Sequence, residues 1–181
     1  MAVQSPMELF QHELSDMYSA EQAILKVLPQ LASETDDAQV RSAYQMHEQQ
    51  TRQQVQNLDQ VFQLLGMNRI QSVTCHAVLG LKKEHDEFVT ENPPRSVLTL
   101  FDLGAASKTE HYEIASYQGL IAQARLMGNS RAAQLLEQNL HQEEEMAQKV
   151  SQLSQELGRK QVHSSMSGSQ SQTQQQTQTQ V

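Results

Sequence analysis

A chain of 181 residues, 38% hydrophobic and 19% charged, holds enough apolar material for one compact core and too little for several domains. Its formal net charge of −8 excludes a nucleic-acid partner, since displacing counterions from a polyanion requires a basic surface. The single cysteine, Cys75, excludes an internal disulfide, and with neither a signal-like start nor an apolar run of membrane length, a cytoplasmic chain with no membrane partner is expected.

Only four Pro and seven Gly interrupt a composition rich in Gln, Glu, Ala, Leu and Met, which predicts an all-α protein. Over residues 6–33, Phe10, Leu14, Met17, Glu21, Ile24, Leu28 and Leu31 recur at spacings of three and four, the pattern of a packed helix. Glu21 is the one charge in that stripe. Ser5, Pro6 and Glu8 form a helix-start signal, and Pro29 can kink the helix or end it early. A polar stretch at 33–37 opens a second helix with Val40, Tyr44, His47, Thr51, Val55, Leu58, Phe62 and Leu65 inward, closed by Gly66.

Residues 67–95 do not read as one long helix, although 77–91 suits a shorter one stopped by Pro93 and Pro94. A connection of this length can run along a bundle and start the third helix from the far end. That helix, residues 96–127, places Leu100, Leu103, Ser107, Glu110, Ile114, Tyr117, Ile121 and Ala124 inward. After Gly128 and Asn129, a fourth helix turns Leu136, Leu140, Glu143, Ala147, Val150 and Leu157 inward. The expected fold is therefore a four-helix bundle over residues 1–160, in two antiparallel pairs joined by a long crossover. Residues 161–181 are Ser, Gln and Thr with almost no large apolar side chain, so a disordered tail is expected there.

An ionised carboxylate on an apolar helix stripe is costly unless a cation, a metal or hydrogen-bond donors neutralise it. Three of the four long helices carry one, as Glu21, Glu110 and Glu143, and the other carries His47. Glu21 and His47 are about equally distant from the turn near Thr35, roughly 20 Å along their helices, so they should face each other. Glu113 and Glu143 are level when measured from the turn at Asn129, and Glu110 and Glu113 form a Glu-x-x-Glu pair on one helical face. Carboxylates with an imidazole suit iron(II) or manganese(II), and facing half-sites of this kind build a di-metal centre. The usual Glu-x-x-His spacing is missing from every inner face. A buried polar network with Tyr18, Tyr112, Tyr117 or a Lys is the competing account, and His111 and Glu113 can instead meet a partner subunit. Cys75 with His76, and Glu84 with His85, only faintly suggest a second metal site.

The strings DMYSAEQ at 16–22, HEQQTRQQ at 47–54, LDQVFQLLG at 58–66, EHYEIASY at 110–117 and LLEQNLHQEEE at 135–145 resemble the YciF/YciE-like family of the ferritin-like superfamily. EHYEIASY is the most specific of these. The resemblance implies a ferritin-like bundle, a homodimer and an association with bacterial stress responses, without an established reaction. It also leads one to expect Glu where this chain has Gln50, and an amide binds metal more weakly than a carboxylate. Two functions follow: a stress-response protein with an iron or manganese di-metal site held by Glu21, His47, Glu110, Glu113 and Glu143, or a non-enzymatic helical scaffold whose metal site is degenerate.

Overall fold

The computed structural model describes the backbone of residues 3–178 and the side chains of residues 3–163. Five helices and no strand occur among the described residues: α1 (Pro6–Glu34), α2 (Ala38–Leu64), α3 (His76–Val89), α4 (Arg95–Leu126) and α5 (Ser130–Gln178). No described helix is long and apolar enough to cross a membrane.

Local chemistry sets the ends of these helices. Ser5 Oγ accepts from the Glu8 N–H, satisfying one free donor of α1, and the Glu8 carboxylate reaches back to the N–H of Gln4 just before the cap. Pro29 neither ends nor shortens α1; it sits on the exposed face, and the helix continues to Glu34. Asp37 caps α2 by accepting from the N–H groups of Gln39 and Val40. At the far end of α2, Gly66 takes a φ of +62° while Met67 N–H bonds back to Phe62 O. Gly128 repeats this after α4, with φ +72° and Asn129 N–H on Ala124 O. Both turns need a left-handed residue, which glycine supplies without a Cβ clash.

The long helices pack in a ring: α1 lies on α2 and α4, and α5 lies on α4 and α2, with α3 outside against α4 and α1. Phe10, Leu14, Leu58, Leu103, Leu136 and Val150 are fully or almost fully buried between them, each contributing about 1.5–3 kcal/mol of burial. Hydroxyls of α1 hold the connector that leaves α2: Ser15 Oγ accepts from Ile70 N–H and Ser19 Oγ from Cys75 N–H. The start of α4 is pinned to the α1–α2 turn by Arg95, which bonds Asp36 and Ser33 O, and by the Thr99–Thr35 hydroxyl pair. The connection therefore runs from the Gly66 end of α2 to the opposite end of the ring.

Several inward positions lie one residue away from the expected stripe: Leu100, Ser107 and Leu140 are half-buried beside the buried Thr99, Ala106 and Asn139, and two shifts change the chemistry of the interior. On α2, Gln54 is fully buried where Val55 was expected; on α4, Glu113 is fully buried while Ile114 is only half-buried. An α-helix drifts about 20° per heptad against a strict seven-residue repeat. The helical backbone of α5 extends to Gln178, beyond the boundary expected near residue 160. Of the tail expected at 161–181, residues 179–181 lie outside the described residues, as do the side chains of 164–178.

Candidate metal centre

His47 of α2, Glu110 and Glu113 of α4 and Glu143 of α5 present ligand-type atoms that all lie within 4.8 Å of one another. All four side chains are buried, at 0–2% exposure. His47 Nε2 stands 3.4 Å from Glu110 Oε1 and 3.7 Å from Glu143 Oε2. Its Nδ1 lies 3.4 Å from Gln50 Oε1. With the proton on Nδ1, the Nε2 lone pair faces two carboxylates, an arrangement that is repulsive without a positive species between them.

Glu21 of α1 is fully buried next to this set but is not one of the four atoms that converge. Tyr117 donates its hydroxyl to Glu21 Oε1. The Tyr117 oxygen in turn accepts from Asn139 Nδ2 at 2.9 Å, and Asn139 also donates to Gln54 O and accepts from Asn57 Nδ2 at 2.7 Å. Gln54 closes the ring by donating to Glu143 Oε1. These hydrogen bonds thus link α1, α4, α5 and α2 and fix Glu21 and Glu143 from one side.

Other polar atoms of the cluster are bare. Glu21 Oε2, His47 Nε2, Glu110 Oε2, Glu143 Oε2 and both oxygens of Glu113 have no hydrogen-bond partner. Native proteins rarely leave such buried atoms unmatched. Among the described residues, the only basic side chain paired with these carboxylates is His47. Burial pushes the Glu21, Glu110 and Glu113 carboxyls well above the usual range, and repulsion from Glu143 pushes them further; for Glu21 the Tyr117 hydrogen bond acts in the opposite direction. Hard oxygen donors around one imidazole, with orphaned lone pairs converging on a buried space, fit a divalent cation. A cavity lined mainly by apolar side chains, among them Leu28, Tyr44 and Val78, reaches His47 and Glu110 from the α3 side.

All five sequence-derived site residues are therefore buried in one region, four of them in mutual reach and Glu21 beside them. Gln54, Asn57 and Asn139 were not anticipated. Their amides look like solvated helix surface in a segment such as HEQQTRQQ, and only the phase of burial reveals them. Tyr117 was anticipated as a polar partner and is one. Tyr112 instead donates to Asp16 and contacts Cys75 Sγ, and burial pushes the Cys75 thiol up. Glu84 pairs with Lys108 at the surface and does not act with its neighbour His85.

A family profile described as "Domain of unknown function (DUF892)" matches residues 5–178. The Escherichia coli protein YciF is 34% identical over 147 residues, covering 81% of this chain and 89% of that protein. Among solved structures, the E. coli stress protein YciF superposes with a TM-score of 0.80 at 32% identity, covering 87% of this chain and 99% of that one. YcfI from Rhodopseudomonas palustris superposes with a TM-score of 0.78 at 36% identity, over 82% of this chain and 94% of that one. A Xanthomonas campestris protein at 21% identity and a TM-score of 0.71 shares the fold.

Proposed function

We propose that this chain, which belongs to the DUF892 family, is a ferritin-like four-helix bundle whose interior holds a di-metal centre of iron or manganese and serves a bacterial stress response. The two antiparallel pairs are α1 with α2 and α4 with α5, and the segment containing α3 is the crossover. The stress assignment comes from the relative described as a stress protein. In this reading the protein works in the cytoplasm as a homodimer, which light scattering on the purified chain tests.

One observation carries the reading. Glu113 is 0% exposed, both of its oxygens are unpartnered, and it lies within reach of Glu110, Glu143 and His47. A side chain so placed has no role in a purely hydrogen-bonded core. Glu110, Glu113, Glu143 and His47 would hold the ions, with Glu21 contributing from α1. Bound there, iron or manganese supplies redox and Lewis-acid capacity toward a small oxidant such as dioxygen or peroxide.

The protein's own part is positioning and proton management. Gln54 and Tyr117 each occupy one oxygen of a carboxylate, on Glu143 and Glu21, and so orient the other oxygen inward. Burial raises the Glu110 and Glu113 carboxyls and so favours their protonated forms in the metal-free chain, and cation entry has to displace those protons. The surrounding Leu, Val and Ala side chains keep bulk water out, which strengthens every charge interaction inside.

A scaffold with a degenerate metal site is the second reading, supported by the two amides at the centre. Gln54 already occupies Glu143 Oε1, and Gln50 stands against His47. Elemental analysis of protein purified without chelator separates the two readings. About two ions per chain, lost in Glu110→Gln, is the expected result. Metal content of zero both before and after that substitution leaves the scaffold.

A further inference from the structure

Away from that centre, α1, α3 and α4 bring together Glu34, His85 and Asp102, whose ligand-type atoms also lie within 4.8 Å of one another. His85 Nε2 is 2.9 Å from Glu34 Oε2 and 3.4 Å from Asp102 Oδ1. Asp102 is 1% exposed, and neither of its carboxylate oxygens has a hydrogen-bond partner. An ionised carboxylate buried in that state is costly unless a cation or a proton compensates it.

The second nitrogen of His85 gives an independent indication. Nδ1 lies 3.2 Å from Asp86 Oδ1, and Lys82 holds Asp86 in place. A metal-ligating histidine typically donates its other N–H to a carboxylate, which fixes the tautomer. With that proton on Nδ1, Nε2 presents a lone pair to two carboxylates. The spacing also suits a metal: bonds of about 2.0–2.2 Å put adjacent ligand atoms roughly 3.0 Å apart at a right angle and roughly 3.4 Å apart at a tetrahedral one.

We propose that Glu34, His85 and Asp102 form a second, mononuclear site for a divalent transition cation, which clasps α3 to α1 and α4. One imidazole with two carboxylates suits zinc(II) or manganese(II), with water completing the shell. Glu34 has 17% of its side chain exposed, which gives the ion an approach from solvent. The site also explains why His85 is, with Val78, one of only two buried residues of α3. Burial raises the Asp102 carboxyl to about 7, with His85 lowering it and Glu34 raising it, so protons compete with the cation in acid. The site shares no ligand with the carboxylate centre, and the inference does not depend on the function proposed for that centre.

The test uses the full chain with the main centre silenced by Glu110→Gln and Glu113→Gln together, stripped with chelator and titrated with cobalt(II). Calorimetry and the visible absorption of cobalt read the binding. One cobalt per chain is expected to remain, and adding either His85→Gln or Asp102→Asn should weaken it by at least about tenfold. Asp102→Asn is nearly isosteric and carries the test if His85→Gln does not fold. Absence of cobalt binding in the silenced chain, or binding unchanged by both added substitutions, overturns the proposal and leaves a proton-bridged clasp.

Discussion

Gln54 of α2 donates its side-chain amide to Glu143 Oε1 of α5, joining residues 89 positions apart in the interior of the helix ring. That bond gives Glu143 a donor in a place water does not reach. Gln54→Leu keeps the volume and removes the donor, leaving a buried carboxylate oxygen unsatisfied at a cost of about 1–3 kcal/mol. Urea unfolding in the presence of chelator should show that loss. An unchanged midpoint would mean that Glu143 finds another partner.

The buried carboxyls also set a pH dependence with a definite sign. Glu21, Glu110 and Glu113 have folded-state pKa values above their unfolded ones. As pH rises through the ordinary carboxylate range, the unfolded chain releases protons that the folded chain retains, so stability falls. Asp102 adds a loss of the same sign, complete once pH passes about 7. The metal-free protein should melt at a higher temperature at pH 5 than at pH 8. Saturating metal should reverse that order, because metal binding requires the same groups deprotonated. A melting temperature that rises from pH 5 to pH 8 in chelator would contradict the assignment.

How much of this the sequence could reveal depends on contrast. Glu21, Glu110 and Glu143 stood out because a charge within an apolar stripe is rare, and each is buried. Glu113 followed from its spacing to Glu110. Gln54, Asn57 and Asn139 had no such contrast, since α2 and α5 are crowded with amides on every face. A strict heptad also favoured Val55 over Gln54 by chemistry alone, although helix geometry buries Gln54. Glu34 and Asp102 were illegible for another reason, and His85 was legible only beside the wrong neighbour, Glu84. The three come from the end of one helix, a connecting helix and the start of another, and no periodicity relates them; only the folded path of residues 65–95 does.

Glu113 and Glu110 should separate stability from metal binding. Glu113→Gln replaces a carboxyl that at high pH must either take up a proton on folding or ionise beside other buried carboxylates with a neutral isostere that does neither. At pH 8 in chelator the variant should therefore be more stable than the parent, while its metal content falls. Glu110→Ala adds a cavity and removes a ligand, so the purified protein should lose both metal and stability. Metal present at 100 times its dissociation constant stabilises the native state by about 2.7 kcal/mol, and that increment should vanish with it. If Glu113→Gln keeps its full metal content, Glu113 is no ligand.

The C-terminal residues should matter little to folding. Leu153 is the last fully buried apolar side chain described on α5, Leu157 packs partly against the core, and Val162 is 58% exposed. Beyond them the sequence offers Ser, Gln and Thr, with only Met166 and the terminal Val181 as large apolar side chains. Such a segment has little apolar area with which to offset the entropy of ordering it. Ending the chain after His163 should change the unfolding free energy by no more than about 0.5 kcal/mol, equivalent to a shift of about 1–2 °C in melting temperature. Calorimetry of the full chain and the shortened one side by side measures this directly. A loss of several degrees would show that residues 164–181 dock on the helix ring or on a second copy. Repeating the scan over a hundredfold range of protein concentration tells these apart, since only docking between copies makes the loss depend on concentration.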